Sequence, residues 1–250
     1  MPRYFLEVAY KGTQYSGFQI QENATSIQQE VERALAVFFR EPLSLTGSSR
    51  TDGGVHALQN YFHFDYEGVI DKRNLYNINA ILPSDIVLKD IYPVAPDAHC
   101  RFDALSREYR YYVYRTKNPF REDRAFFFPY TLDRAKMDTA AAILPTYQDF
   151  TAFSKRSTQV KTFLCTIHES AWYQEEDCLV YRVRANRFLR GMVRGLVGTM
   201  LQVGRGRISV EEFEAVIQGR DNQQADFSVP GHGLFLFRVY FPDSLPAVNR

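Results

Sequence analysis

Arg50-Thr51-Asp52-Gly53-Gly54-Val55-His56, running into Gln59-Asn60-Tyr61-Phe62-His63-Phe64, is the stretch on which the reading of this chain turns. Residues 59–64 alternate with the period of a strand. The glycines before them permit a bend with positive φ and a close approach of another molecule. Asp52 is therefore expected at a tight bend at the mouth of a sheet, where reactive side chains are commonly presented. Taken alone, the same residues also describe an ordinary Asp-Gly hairpin turn beside a solvated arginine. The rest of the chain has to separate the two.

Working outward, residues 3–10 alternate as a strand, and a Gly-punctuated polar and aromatic loop follows over 10–19. Thr25-Ser26 supplies an N-cap, with Gln28 and Gln29 placed for a capping box. Ile27, Val31, Ala34, Leu35 and Phe38 then form the apolar stripe of an amphipathic helix. Further strands are expected near 59–66, 86–93, 107–116, 161–174, 178–185 and 234–240. Helices are expected near 71–80, 132–144, 188–203 and 209–219. Polar partners on the strand faces and hairpin-like spacings indicate an α+β fold, a largely antiparallel sheet with helices on one side. The polar stretch 117–124 is the candidate join. It divides the chain into an N-terminal half, 1–116, carrying the Asp52 loop, and a C-terminal half, 117–250, carrying an arginine-rich helix.

The 250 residues, 45% hydrophobic and 24% charged, suit one large domain or two intimately packed smaller ones. A net charge of +1 decides nothing about nucleic acid, because clustering matters more than balance. Cys100, Cys165 and Cys178 are odd in number and form no CxxC pair, so they read as buried thiols in a reducing compartment. The N-terminus runs directly into a strand pattern rather than a signal peptide, and no apolar run approaches a membrane span. A cytoplasmic protein is expected.

Two further stretches carry chemistry. In Ser106–Arg115, Tyr109, Tyr111 and Val113 share one face of a strand, and Arg110, Tyr112 and Tyr114 the other. Guanidinium for phosphate and ring for base is what an RNA surface requires, although tyrosine favours strands in any case. In Arg184–Gly198, a helix would place Val193, Leu196, Val197 and Met200 on a core stripe. Arg187, Arg190 and Arg194 would fall together on a neighbouring face beside Gly191 and Gly198. Such arginines repel one another without nearby anions, and the glycines would leave room for a ligand to approach. Other chemistries lack support: there is no GxGxxG, HExxH, GxSxG or Walker pattern. His56 and His63 read as local hydrogen-bonding groups.

With these residues assembled, the chain resembles the tRNA pseudouridine synthase I family along nearly its whole length. The resemblance is carried by Tyr10-Lys11-Gly12-Thr13 through Gly17-Phe18-Gln19, the Arg50–His56 motif and Tyr109-Arg110-Tyr111. It continues through Asp149–Phe153, Phe188-Leu189 with Met192-Val193-Arg194, and Gly233–Leu236. It implies isomerisation of uridine to pseudouridine in the anticodon stem-loop of tRNA (positions 38–40) by a homodimer, with no cofactor and no metal. It implies a fold of two ferredoxin-like halves sharing the sheet, with a basic cleft between them. Asp52 is implied as the catalytic aspartate, Tyr109 as the tyrosine against the uracil ring, and Arg194 as the partner of the aspartate. Arg50 is implied to enter the RNA stack when the target base leaves it, and Leu234 to line the base pocket. Arg110, Arg187 and Arg190 complete the expected RNA-binding set. Lys11, Phe18, Ser48-Ser49, Gly53 and Gly191 depart from the family's common residues, and none removes a group the chemistry needs. The alternatives are a non-catalytic RNA-binding module and an aspartate-dependent nucleoside or glycoside hydrolase. The latter commonly needs a second carboxylate, and none stands out beside Asp52.

Overall fold

The computed structural model describes residues 1–155, 160–243 and 245. In chain order the elements are β1 (Arg3–Tyr10), α1 (Ile27–Phe39), β2 (Thr46–Gly47), β3 (His56–Asp65), α2 (Asn74–Asn79), β4 (Ile86–Val94), β5 (Ser106–Tyr114), β6 (Phe126–Phe127), α3 (Arg134–Ile143), β7 (Ile167–Glu175), β8 (Cys178–Ala185), α4 (Met192–Gly204), α5 (Val210–Gly219) and β9 (Leu234–Tyr240). This is the α+β class, with largely antiparallel strand pairing, expected from the sequence.

The chain divides into two compact units, one of Met1–Ser106 with Leu236–Arg250, the other of Arg107–Phe235. The division lies at the start of β5 rather than at 117–124. The cause is hydrogen bonding: β5 pairs antiparallel with β8 from Arg107↔Ala185 to Tyr114↔Cys178, so it belongs with the later strands.

In the first unit β1 lies between β3 and β4, antiparallel to both, and β2 adds a short pairing to β3. Flanked on both edges, β1 is buried on both faces, with Phe5, Leu6 and Val8 at zero exposure. Its Glu7 is buried too, and the cost of burying a carboxylate is met by Lys89 at 2.9 Å and the Tyr61 hydroxyl at 3.0 Å. Helix α1 begins where expected: the Ser26 hydroxyl accepts from the Gln29 amide at 3.3 Å. It buries Ile27, Val31, Ala34 and Leu35 and stops at Arg40, whose φ of 61° is left-handed.

In the second unit β5, β8 and β7 form successive antiparallel pairs, and β6 pairs parallel with β5. Trp172 of β7 donates from Nε1 to the Met200 sulfur at 3.4 Å, fixing α4 over that strand. Helix α5 carries a full capping box between Ser209 and Glu212. The expected strand 161–174 is regular only from Ile167, Leu164 making an isolated bridge to Asp149. The short strands β2 and β6 were not anticipated, since two residues carry no periodicity to read.

Candidate active site

The Asp52 loop is anchored from several directions. Thr51 accepts from the Phe18 amide at 3.1 Å, and its hydroxyl lies 2.8 Å from that of Tyr10. Asp52 pairs with Gly17 as an isolated bridge, and its carbonyl accepts from Val55 at 3.2 Å, closing a turn. Within it Gly54 takes φ = 77°, a conformation in which a side chain would be strained, and donates to Tyr15 at 3.3 Å. Gly53 does not share that positive φ, and a Cβ there would meet its first neighbour at an ordinary 3.5 Å. His56 is buried and its Nδ1 accepts from the Gly12 amide at 3.0 Å, so this ring holds the loop, as expected. Asn60, buried in β3, donates to the Ser49 carbonyl at 2.8 Å. Thr51, Val55 and His56 are buried around Asp52, which is half-exposed, while Arg50 is exposed. A carboxylate fixed by its backbone and still reachable is preorganised for chemistry.

In the second unit, Tyr109, Tyr111 and Val113 are buried on one face of β5, while the other face carries half-buried Arg110 and Tyr112 together with buried Glu108 and Tyr114. Tyr109 is 7% exposed and meets Phe188 edge-on, ring centroids 4.9 Å apart. Arg194, in the first turn of α4, donates from Nε to the Val229 carbonyl at 2.8 Å. The Tyr111 hydroxyl donates to the next carbonyl, Pro230, also at 2.8 Å. Burial pushes the Tyr111 phenol far above its ordinary pKa, with Arg194 opposing the shift. Gly233 lies against the Tyr111 ring, where a Cβ would come within 2.7 Å, and Leu234 follows at 6% exposure. The segment 226–234 thus links Arg194, Tyr111 and Leu234. Its role was missed from sequence because two of its contacts use carbonyl oxygens, which carry no residue-type signal.

The expected row of Arg187, Arg190 and Arg194 on one helical face does not form. Helix α4 begins only at Met192, after Gly191 in the left-handed conformation (φ = 74°), so Arg187 and Arg190 precede it. Arg187 is half-buried, and its charge opposes the upward pull of burial on the Cys165 thiol, which is raised to about 11. Arg190 is exposed, its carbonyl accepting from Lys155 at 2.9 Å. Nor do the glycines make room for a ligand. A Cβ on Gly198 would meet the Asp226 carbonyl oxygen at 2.1 Å, one on Gly195 the Phe227 ring at 2.8 Å, and one on Gly191 the Lys155 side chain at 2.9 Å. The chain's own segment at 226–227 lies on α4, clamped by Thr199 accepting from the Asp226 amide at 3.0 Å and Gln202 donating to the Asp226 carboxylate at 2.5 Å.

Arg110 also departs from expectation. Its guanidinium bonds the buried Glu108 at 2.9 Å and lies 3.6 Å from Glu175 and 5.9 Å from the Tyr173 ring centroid. Glu108 further pairs with Arg182 at 3.3 Å. These charges satisfy one another across neighbouring strands, so Arg110 is built into the sheet. Among the described residues, no group of His, Cys, Asp and Glu is arranged to hold a metal ion. No helix among them is long and apolar enough to cross a membrane.

Comparison with known proteins agrees with the resemblance read from the motifs. Residues 140–242 match the family model described as tRNA pseudouridine synthase. The chain is 46% identical over 247 residues to a tRNA pseudouridine synthase A of Parabacteroides distasonis, covering 98% of both chains. It is 44% identical over 249 residues to the protein of that name from Bacteroides thetaiotaomicron, covering 98% of this chain and 93% of the relative. It is 36% identical over 245 residues to that of Staphylococcus aureus, covering 97% and 92%. With identity at this level from end to end, the chain belongs to the tRNA pseudouridine synthase family.

Proposed function

We propose that this protein isomerises uridine to pseudouridine in the anticodon stem-loop of tRNA, with Asp52 as the catalytic carboxylate. The observation that carries the reading is the Asp52 loop itself: in a chain of this family, a half-exposed carboxylate stands on a backbone tied to β1, β3 and the 12–18 segment. Isomerisation breaks the bond from uracil N1 to the ribose C1′ and forms one from C5 to C1′. The proton lost from C5 is balanced by one gained at N1, so no oxidant and no energy source is consumed. A paired uridine must first leave its stack, at a cost of a few kcal/mol. Arg50, exposed two residues before Asp52, fills the vacated space and meets phosphate, the role that the resemblance assigns it. Asp52 then serves as nucleophile or as base toward the ribose. Tyr109 stacks on the uracil ring, Leu234 lines its pocket, and Arg194 partners the aspartate, the roles that the resemblance assigns them. The protein acts as a cytoplasmic homodimer.

One assay tests the reading against its alternatives. Unmodified tRNA is incubated with the protein, and the products are mapped. Pseudouridine supports isomerisation, free uracil a hydrolase, and binding without product an RNA-binding module. Asp52→Asn is expected to abolish pseudouridine formation while retaining tRNA binding, and persistent turnover in that variant removes the aspartate from its role.

A further inference from the structure

We propose that a cavity beside Arg50 receives a nucleotide adjacent to the target uridine, its base stacked on Phe102 and its phosphate held by Arg50 and Arg101. The inference rests on the chain acting on tRNA, as proposed above. The cavity has a volume of about 210 Å³, and its walls include Phe18, Gln28, Arg50, His99, Arg101 and Phe102. It is smaller than the roughly 300–1,000 Å³ of ordinary small-molecule sites, so it takes only the phosphate end of the nucleotide, the base lying outside it on exposed Phe102. Its lining contains two arginines and no carboxylate, so the group it favours is an anion.

The aromatic wall is constructed rather than incidental. The turn at 99–103 is closed by the His99 amide donating to the Asp103 carboxylate at 2.7 Å and the Asp103 amide donating to the His99 carbonyl at 3.0 Å. His99 Nδ1 accepts from the amides of Arg101 and Phe102 at 3.2 and 3.4 Å, which fixes the imidazole. On that ring sits Phe102, centroids 4.2 Å apart, and behind it His63 at 4.4 Å. His63 in turn lies 6.2 Å from Phe5 in the core. The result is a column of rings rising from the core and ending in Phe102, which is 75% exposed on a well-anchored turn. Arg101 places its guanidinium 5.8 Å from the centroid of that terminal ring. A rigid exposed ring with a cation beside it is a stacking platform for a base and its phosphate.

Arg50 supplies the register. It lines the cavity and precedes Asp52 by two residues, a span of at most about 7 Å of extended chain. A phosphate held by Arg50 is therefore close enough to Asp52 to belong to the nucleotide next to a uridine bound there, and the base of that nucleotide is the one that reaches Phe102.

The test measures the affinity of unmodified tRNA transcripts for the wild type, Phe102→Ala, Phe102→Trp and Arg101→Gln, each also against tRNA with an abasic site next to the modified uridine. Loss of one stacked base is expected to weaken binding about tenfold, whether it is removed from the protein by Phe102→Ala or from the RNA. The two losses do not multiply when combined, Phe102→Trp restores affinity, and Arg101→Gln lowers the salt slope by about one. Phe102→Ala binding as tightly as wild type overturns the proposal, as do losses that multiply. A wild-type protein that binds tRNA but forms no pseudouridine sinks the functional reading instead, while the dependence of binding on Phe102 is still read.

Discussion

Gly12→Ala is expected to slow turnover severely while leaving the protein folded, because Gly12, in the short turn just after β1, packs against the back of the Asp52 loop. A Cβ at Gly12 would lie 2.0 Å from the Val55 carbonyl oxygen and 2.8 Å from its carbon. An ordinary contact begins at 3.4 Å, so the two segments must part by about 1.4 Å. Val55 has little room to retreat: it is 2% exposed, His56 beside it is 1% exposed, and its amide is bonded to Asp52. The displacement therefore passes into the 52–55 turn and stretches the bond from the Gly12 amide to His56. Overpacking of this kind costs about 1–3 kcal/mol of stability. In a chain of this size that lowers the melting temperature by about 2–4 °C per kcal/mol. Misplacing a catalytic group by about 1 Å costs about 100-fold in rate. Gly53→Ala is the control in the same loop: its Cβ meets Ser16 at 3.5 Å, and its stability should change by less than about 0.5 kcal/mol with turnover intact. Single-turnover pseudouridine formation at saturating tRNA, with thermal unfolding of each variant, measures both effects. A Gly12→Ala protein that keeps the wild-type rate would refute the claim that this contact positions Asp52.

Arg194→Lys keeps the charge but loses the planar donor that reaches Val229, and is expected to lower the rate about 100-fold or more. A near-normal rate would mean that charge alone suffices. Tyr111→Phe leaves the Pro230 carbonyl without its 2.8 Å donor and should cost about 1–3 kcal/mol, read as a lower melting temperature. No change would show that the 226–234 segment does not depend on that bond. His63 gives a pH signature. Burial, reinforced by His99 and Arg3, lowers its folded pKa from 6.5 to about 4, so between those values the unfolded chain binds the extra proton. Stability should rise with pH across that window and fall as acid is added, and His63→Gln should flatten the slope. An unchanged slope would place the titration elsewhere.

What could be read from sequence and what could not differ in kind. Helix α1 was legible because its cap and its apolar stripe are local, and the burial of Ile27, Val31, Ala34 and Leu35 follows the 3.6-residue period. Period two likewise grouped Tyr109, Tyr111 and Val113 on a buried face of β5, but it did not show that Tyr114 on the opposite face is buried as well. Arg187 and Arg190 were misplaced because the apolar pattern of α4 reads backward through Gly191, whose left-handed φ starts the helix later. Arg110 was read as an RNA contact although Glu108 sits two residues away on the same face of β5, because its second partner Glu175 and the Arg182 that shares Glu108 appear only once β7 and β8 are placed. The glycines of α4 announced a close approach correctly but could not say by what. The structure answers with the chain's own Asp226 and Phe227.

Element types, the family, and the choice of the Asp52 loop as the candidate site were set by the amino-acid order itself, since caps, periodicity and contiguous motifs are properties of neighbouring residues. Tertiary structure alone decided which charges are spent inside the protein, what occupies the glycine surface of α4, and that the His63, His99 and Phe102 rings meet in a row that ends in an exposed ring. The physical reason is range. Close packing and ion pairing join groups that lie tens of residues apart, and a side chain's availability to a ligand is settled only after those distant partners have met.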